Sequence, residues 1–200
     1  MEYSIIGTGN VGKTLAAFFA KAGVEVAFAN TRGPEAVGPI AKQLGGKVVA
    51  KSLNEALKSD VLFFAVQFLN FKDVGSAKPD WTGKIVIDVT NAFMLPAEVQ
   101  KAELNGRLSS EVNAERVPGA KLVKAFNHLT WQVLASPVPA GGRRVVFISS
   151  DHNDASAKIA SLAGELGFAP IEIGKIGEGG RLIQAPSALV FQDLIKFKRD

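Results

Sequence analysis

The chain has 200 residues, 47% of them apolar, enough for one domain with a full core spanning 1–200. Cysteine is absent and the histidines are His128 and His152 alone, so disulfides and thiolate metal sites are excluded and no metal centre is expected. The formal net charge is +4, yet the cations are dispersed, clustering only at Arg143-Arg144 and at Lys196, Lys198 and Arg199, so no nucleic-acid partner is expected.

Residues 3–6 read as a short apolar strand. The stretch Ile5-Ile6-Gly7-Thr8-Gly9-Asn10-Val11-Gly12-Lys13 then spells G-x-G-x-x-G, and Val11, Leu15, Phe18, Phe19 and Ala22 make one apolar helix face that stops at Gly23. In a dinucleotide turn Gly7 permits the reversal from strand to helix, and Gly9 leaves no side chain between the backbone and a pyrophosphate. Gly12 lets the helix lie close on the strand. The helix N-terminus offers free N–H groups and partial positive charge to the phosphates. Glycine-rich turns also serve as mere connections, but this one sits between the strand and the helix that a cofactor site requires.

Val24, Val26 and Phe28 alternate with other residues in a second strand that ends at Asn30. An acidic residue near this point usually bonds the ribose of NAD. Here the chain has Asn30-Thr31-Arg32-Gly33-Pro34-Glu35, and a hydroxyl beside a guanidinium suits a 2′-phosphate, so NADP is favoured over NAD. The alternative is a solvated Arg32 in the turn before a helix over 34–44.

A third strand is expected over 47–50. Ser52 with Glu55 forms a capping box for a short helix, and residues 60–66 are a continuous apolar run, the mark of a parallel strand buried on both faces. That run is too short to cross a bilayer, and a strand beginning near residue 3 leaves no room for a signal peptide. A cytoplasmic chain with no membrane partner is expected. Ligands of doubly wound sheets lie beyond the carboxyl ends of the strands, so Ala65, Val66 and Gln67 should pass under the cofactor. Gln67 is equally consistent with an ordinary strand-end polar residue.

Residues 68–81 carry no clear pattern. A fifth strand over 84–89 delivers Thr90, Asn91 and Ala92 to the same edge, where Asn91 suits a carboxamide or a ribose and is also a common turn former. A short helix fits 98–104, and Ser110 is expected to cap another that runs to about Arg116. A sixth strand over 120–125 ends at Phe126-Asn127-His128, so three strand ends near Val66, Asn91 and Asn127 converge on the glycine turn. His128 is the one residue placed to serve as a proton donor, though packing or capping fits it as well. No catalytic acid or base is assigned, since hydride transfer between two cofactors needs only stacking, distance and dryness. A strand over 144–149, a helix over 155–166, a strand over 169–173, a flexible 174–180 and a helix over 181–198 interrupted at Pro186 complete the chain. The fold expected is α/β, a Rossmann-like doubly wound, mostly parallel sheet with a short helical C-terminal section over 174–200.

The segments Ile-Gly-Thr-Gly-Asn-Val-Gly-Lys, Asn-Thr-Arg-Gly-Pro-Glu, Asp-Val-Thr-Asn, Val-Lys-Ala-Phe-Asn and Glu-Leu-Gly-Phe-Ala-Pro together resemble the coenzyme F420-dependent NADP oxidoreductase family over nearly the whole chain. The last but one is shared with the cytosolic reductase domain of the STEAP ferrireductases. The resemblance implies a homodimer that binds NADP through Thr8, Gly9, Asn10 and Val11, with Thr31 and Arg32 on the 2′-phosphate. It also implies hydride transfer between NADPH and a small-molecule redox acceptor, either the deazaflavin F420 or a flavin such as FMN or FAD, without a catalytic acid or base. Some members carry a further basic residue where this chain has Glu35 and Ala36, which weakens the expected NADP preference. Two other classes fit the same residues: an NADP(H)-binding sensor or regulatory module without its own chemistry, and a dehydrogenase of small alcohols or acids relying on His128.

Overall fold

A computed structural model describes residues 1–93 and 95–198; Arg199 of the C-terminal basic group lies outside the described residues. Six strands run parallel in the order β3 (Val48–Ala50), β2 (Val26–Ala29), β1 (Tyr3–Ile6), β4 (Val61–Phe64), β5 (Ile85–Asp88) and β6 (Lys121–Ala125). Next to β6 lies β7 (Gly142–Ser150), antiparallel to it, followed by β8 (Ala169–Glu172), parallel to β7. The order changes direction at β1, whose neighbours are β2 and β4, and ligands of such sheets lie at that switch point.

Successive side chains of a strand face opposite ways, which explains the unbroken apolar runs. Ile5, Phe63, Ile87 and Val123 pack under α1 (Asn10–Ala22), α2 (Pro34–Leu44) and α8 (Asn153–Glu165). Their neighbours Ile6, Phe64, Val86 and Leu122 pack on the other face, against α3 (Leu53–Ala56), α4 (Phe71–Gly75) and the residues around α6 (Ser109–Glu115). The expected capping box forms: Glu55 N–H donates to Ser52 Oγ at 3.3 Å and Ser52 N–H to the Glu55 carboxylate at 2.9 Å.

One stretch without a pattern takes shape, and three local expectations are corrected. In the patternless stretch after Gln67, a 3-10 turn (Phe68–Asn70) leads into α4, and Trp81 Nε1–H holds the end of that helix at Gly75 O, 2.9 Å away. Ser110 does not cap α6: the N-cap is Leu108, whose N–H donates to the Glu111 carboxylate at 2.9 Å, while Ser109 and Ser110 lie inside the helix. No helix runs through 181–198. Pro186 supplies no N–H and disfavours helical backbone at Ala185. Ile183 and Leu189 instead pack on Val145 and Phe147, Leu194 O accepts Val145 N–H at 2.8 Å, and β9 (Ile195–Phe197) pairs with the start of β7. The segment before it is not a loose linker either, since Ile176–Gly180 is a π turn in which Gly179 and Gly180 are buried.

Candidate functional site

The turn after β1 is shaped by close contacts. Gly7, at φ 115°, donates its N–H to Ala29 O at 2.8 Å, and a Cβ there would lie 2.2 Å from Ala65 O. A Cβ on Gly12 would lie 1.9 Å from Gly7 O. Gly9 is different: at φ −73° its backbone suits any residue, and a Cβ would meet nothing within 4 Å. Gly9 is the N-cap of α1 and offers no side chain to it. The first bond back to the turn is Lys13 N–H to Gly9 O at 2.9 Å. Among the described residues the N–H groups of Asn10, Val11 and Gly12 therefore have no acceptor, and bare space lies beside them. That cradle fits a pyrophosphate.

Asn30, nearly buried at the end of β2, donates from Nδ2 to Thr8 Oγ1 at 2.9 Å and accepts Arg32 N–H at Oδ1 at 2.8 Å. It thereby ties the glycine turn to the loop carrying Thr31 and Arg32, a structural task that its position alone did not reveal. Thr31 and Arg32 are exposed, and among the described residues the Arg32 guanidinium takes part in no hydrogen bond or ion pair. A cavity of about 150 Å³ opens beside Thr31, lined by Gly7, Asn30, Leu53, Val66 and the acidic Asp73, without Arg32. A larger cleft, about 470 Å³, near Phe18, Val138 and Phe168 contains none of the strand-end residues. Its buried cation, Arg144, is already bound to Asp193 at 2.7 Å and to Ser136 O at 2.7 Å.

Ala65 and Val66 are half-buried at the end of β4, with Gln67 exposed beyond them. Across β5 and β6, Asn91 Nδ2 donates to Asn127 O at 2.8 Å, and Asn127 Nδ2 donates to Asn91 Oδ1 at 3.2 Å and Ile183 O at 2.7 Å. The two asparagines are thus brought together, with Ala92 buried beside them, while Asn127 Oδ1 keeps no partner.

Below this pair lies an ionic floor that sequence reasoning missed. Lys124, fully buried, donates to Asp88 Oδ2 at 3.0 Å and to Thr90 O at 2.6 Å. Asp88 Oδ1 accepts Thr90 N–H at 2.9 Å and its hydroxyl at 2.7 Å, and Asn113 Nδ2 reaches Asp88 Oδ2 at 3.1 Å. Burial pulls the Lys124 pKa down, opposed by the Asp88 charge and hydrogen bond. The available signal was Asp88 and Lys124 late in two otherwise mostly apolar strands; their register sets Asp88 opposite Lys124. The network holds Thr90, and so Asn91, in place.

His128 does not face the site. It is fully buried, its ring lies edge-on to Phe147 with centroids 5.0 Å apart, and neither ring nitrogen has a partner in good hydrogen-bond geometry. Burial pushes its pKa down to about 4, which the Asp193 charge and the Val145 backbone offset only in part. It caps no helix, because α7 (Trp131–Ala135) begins after Thr130.

Residues 2–92 match the family model described as "NADP oxidoreductase coenzyme F420-dependent". A crystal structure of the hypothetical protein SMa0349 from Sinorhizobium meliloti is similar at 39% identity and a TM-score of 0.90, over 98% of this chain and 96% of that one. A putative F420-dependent NADP reductase from Arthrobacter sp. is similar at 27% identity and a TM-score of 0.71, over 88% of this chain and 86% of that one. Residues 2–92 belong to the coenzyme F420-dependent NADP oxidoreductase family.

Among curated relatives, the metalloreductase STEAP3 of Rattus norvegicus is 27% identical over 94% of this chain, which spans 37% of that protein's length. A reductive aminase from Aspergillus terreus, solved with NADPH4, shares the fold at 19% identity and a TM-score of 0.58, over 90% of this chain and 56% of that one. The F420-dependent NADP oxidoreductase match takes in the glycine turn, Thr31-Arg32 and the strand end at Asn91, and stops short of Asn127.

Proposed function

We propose that this chain is an NADP-dependent oxidoreductase that passes a hydride between NADPH and a small ring acceptor, a deazaflavin such as F420 or a flavin such as FMN or FAD. The observation that carries the proposal is the open space at Gly9, beside three unpartnered N–H groups, with an uncommitted Arg32 on the loop that Asn30 ties to that turn. Gly7, Gly9 and Gly12 shape the turn, and the N–H groups of Asn10, Val11 and Gly12 would hold the pyrophosphate. Thr8 would act through Asn30, and Thr31 with Arg32 would take the 2′-phosphate by charge-assisted bonds. Ala65, Val66, Gln67, Asn91, Ala92 and Asn127 would edge the nicotinamide, whose carboxamide N–H suits the unpaired Asn127 Oδ1. NADPH supplies a hydride, leaving as NADP⁺, and the reduced ring takes its proton from water. The buried His128 is not available as a proton donor, which removes the support for a small-alcohol dehydrogenase.

One domain, a homodimer and a cytoplasmic location belong to the same proposal. No helix among the described residues is long and apolar enough to cross a membrane. The test mixes protein, NADPH and either FMN or a deazaflavin and follows absorbance at the nicotinamide band. Turnover with one ring supports the reading. NADPH binding without reduction of any ring would favour the sensor class instead, and no NADPH binding would remove both.

A further inference from the structure

Two aromatic side chains stand exposed next to the asparagine pair, although neither belongs to a core cluster. Phe191 is 55% exposed and Phe93 37% exposed, and their rings meet edge to face with centroids 5.8 Å apart and planes at 84°. Phe93 follows Asn91 by two residues. Phe191 reaches the same place from the C-terminal segment, because its N–H donates to His128 O at 2.7 Å, one residue beyond Asn127. Its backbone sits at φ 63°, a left-handed conformation that a bulky side chain rarely adopts. The chain therefore holds a phenyl ring out in water, in an unfavourable backbone conformation, at the edge where three strand ends converge. An edge-to-face pair leaves the faces of one ring free for a further flat partner.

We propose that Phe93 and Phe191 form an aromatic platform for the ring of the hydride acceptor, a planar tricyclic system of the flavin or deazaflavin kind that stacks on the face of one phenyl ring and meets the other edge-on. The proposal rests on the reading of this edge as the nicotinamide site, and adds to it the residues that hold the second ring. The platform continues directly from Asn91 and Asn127, so a ring seated on it abuts the edge assigned to the nicotinamide. The partner is flat and aromatic because the surface offered is two phenyl rings. Phe93 lies one residue beyond the segment that matches the family model and Phe191 far beyond it, so neither ring falls within that segment.

Fluorescence quenching of FMN, and in a separate arm of 8-hydroxy-5-deazaflavin riboside, by protein saturated with NADP⁺ tests the platform without requiring turnover. Phe191→Gly keeps the left-handed backbone and removes the ring, Phe93→Ala removes the other, and Phe191→Trp restores an aromatic face. Removing either ring is expected to weaken ring binding about two- to tenfold, with NADPH affinity unchanged and Phe191→Trp close to wild type. In turnover the same loss should appear in the acceptor KM, with kcat little altered. The arm that quenches identifies which ring the site takes. Unaltered ring binding in Phe191→Gly and Phe93→Ala, or no ring binding by the wild type, overturns the proposal. A change in oligomeric state by light scattering without a change in ring binding also overturns it, since a second copy would then be what covers the patch. Ring binding that depends on both residues without hydride transfer would sustain the platform while sinking the proposed reaction.

Discussion

Replacing Gly9 by alanine separates binding from folding. The new Cβ meets no atom within 4 Å and the backbone at φ −73° suits alanine. Alanine is a poorer N-cap than glycine but reduces the freedom of the unfolded chain, so the two effects roughly offset within about 1 kcal/mol. For a chain of this length that is a shift in Tm of at most about 4 °C. The methyl group would stand where the phosphates must approach. Losing one hydrogen bond to a charged group, at about 1.5–3 kcal/mol, makes NADPH binding roughly 10- to 150-fold weaker. Gly12→Ala should do the reverse: its Cβ would lie 1.9 Å from Gly7 O, and relieving that overlap should cost at least about 3 kcal/mol, lowering Tm by roughly 6–12 °C. Paired measurements, NADPH fluorescence titration and thermal unfolding, read both effects. Wild-type NADPH affinity in Gly9→Ala would refute the placing of the phosphates, and a wild-type Tm in Gly12→Ala would refute the close-packing account of the turn.

Arg32→Ala should weaken NADPH about tenfold or more while leaving NADH nearly unchanged, because only NADPH carries the 2′-phosphate; equal losses in parallel titrations would discard the assignment. Lys124→Met should lower stability by about 3–5 kcal/mol in urea unfolding, since it strands the buried Asp88 carboxylate, and a loss under 1 kcal/mol would mean that the pair contributes little. The folded pKa of His128, about 4, lies below the ordinary 6.5, so unfolding takes up a proton in acid. That contribution is complete above about pH 6.5 and lost as pH falls towards 4, amounting to about 2 kcal/mol between pH 7 and pH 5. His128→Leu should flatten the stability profile over that window by a similar amount, and an unchanged slope would contradict the burial argument.

What could be read from the chain followed from how local each signal is. The glycine turn, the Ser52–Glu55 cap and the apolar run 60–66 each carry their physics within a few residues, and all three appear in the fold, the last as the strand Val61–Phe64. Residues 181–198 misled because Leu189, Val190, Phe191 and Leu194 read as an apolar helix face, whereas their partners, Val145 and His128, are tens of residues away. The same holds for Asp88, Asn113 and Lys124. Charged and amide residues within apolar strands and a short helix look like exceptions until the register places them side by side.

The antiparallel strand β7 begins well past the carboxyl end of β6, since Ala125 pairs with Ile148 and the residues from Gly142 onward project beyond it. That overhang gives the returning C-terminal tail a rail to fasten on, through β9 and the Val145 amide. Exposed side chains of the tail, such as Phe191, can therefore change without disturbing the strands that carry the glycine turn. A lineage keeping this scaffold could retune which oxidant it serves by editing a stretch near its terminus, while its grip on the electron donor stays as it was.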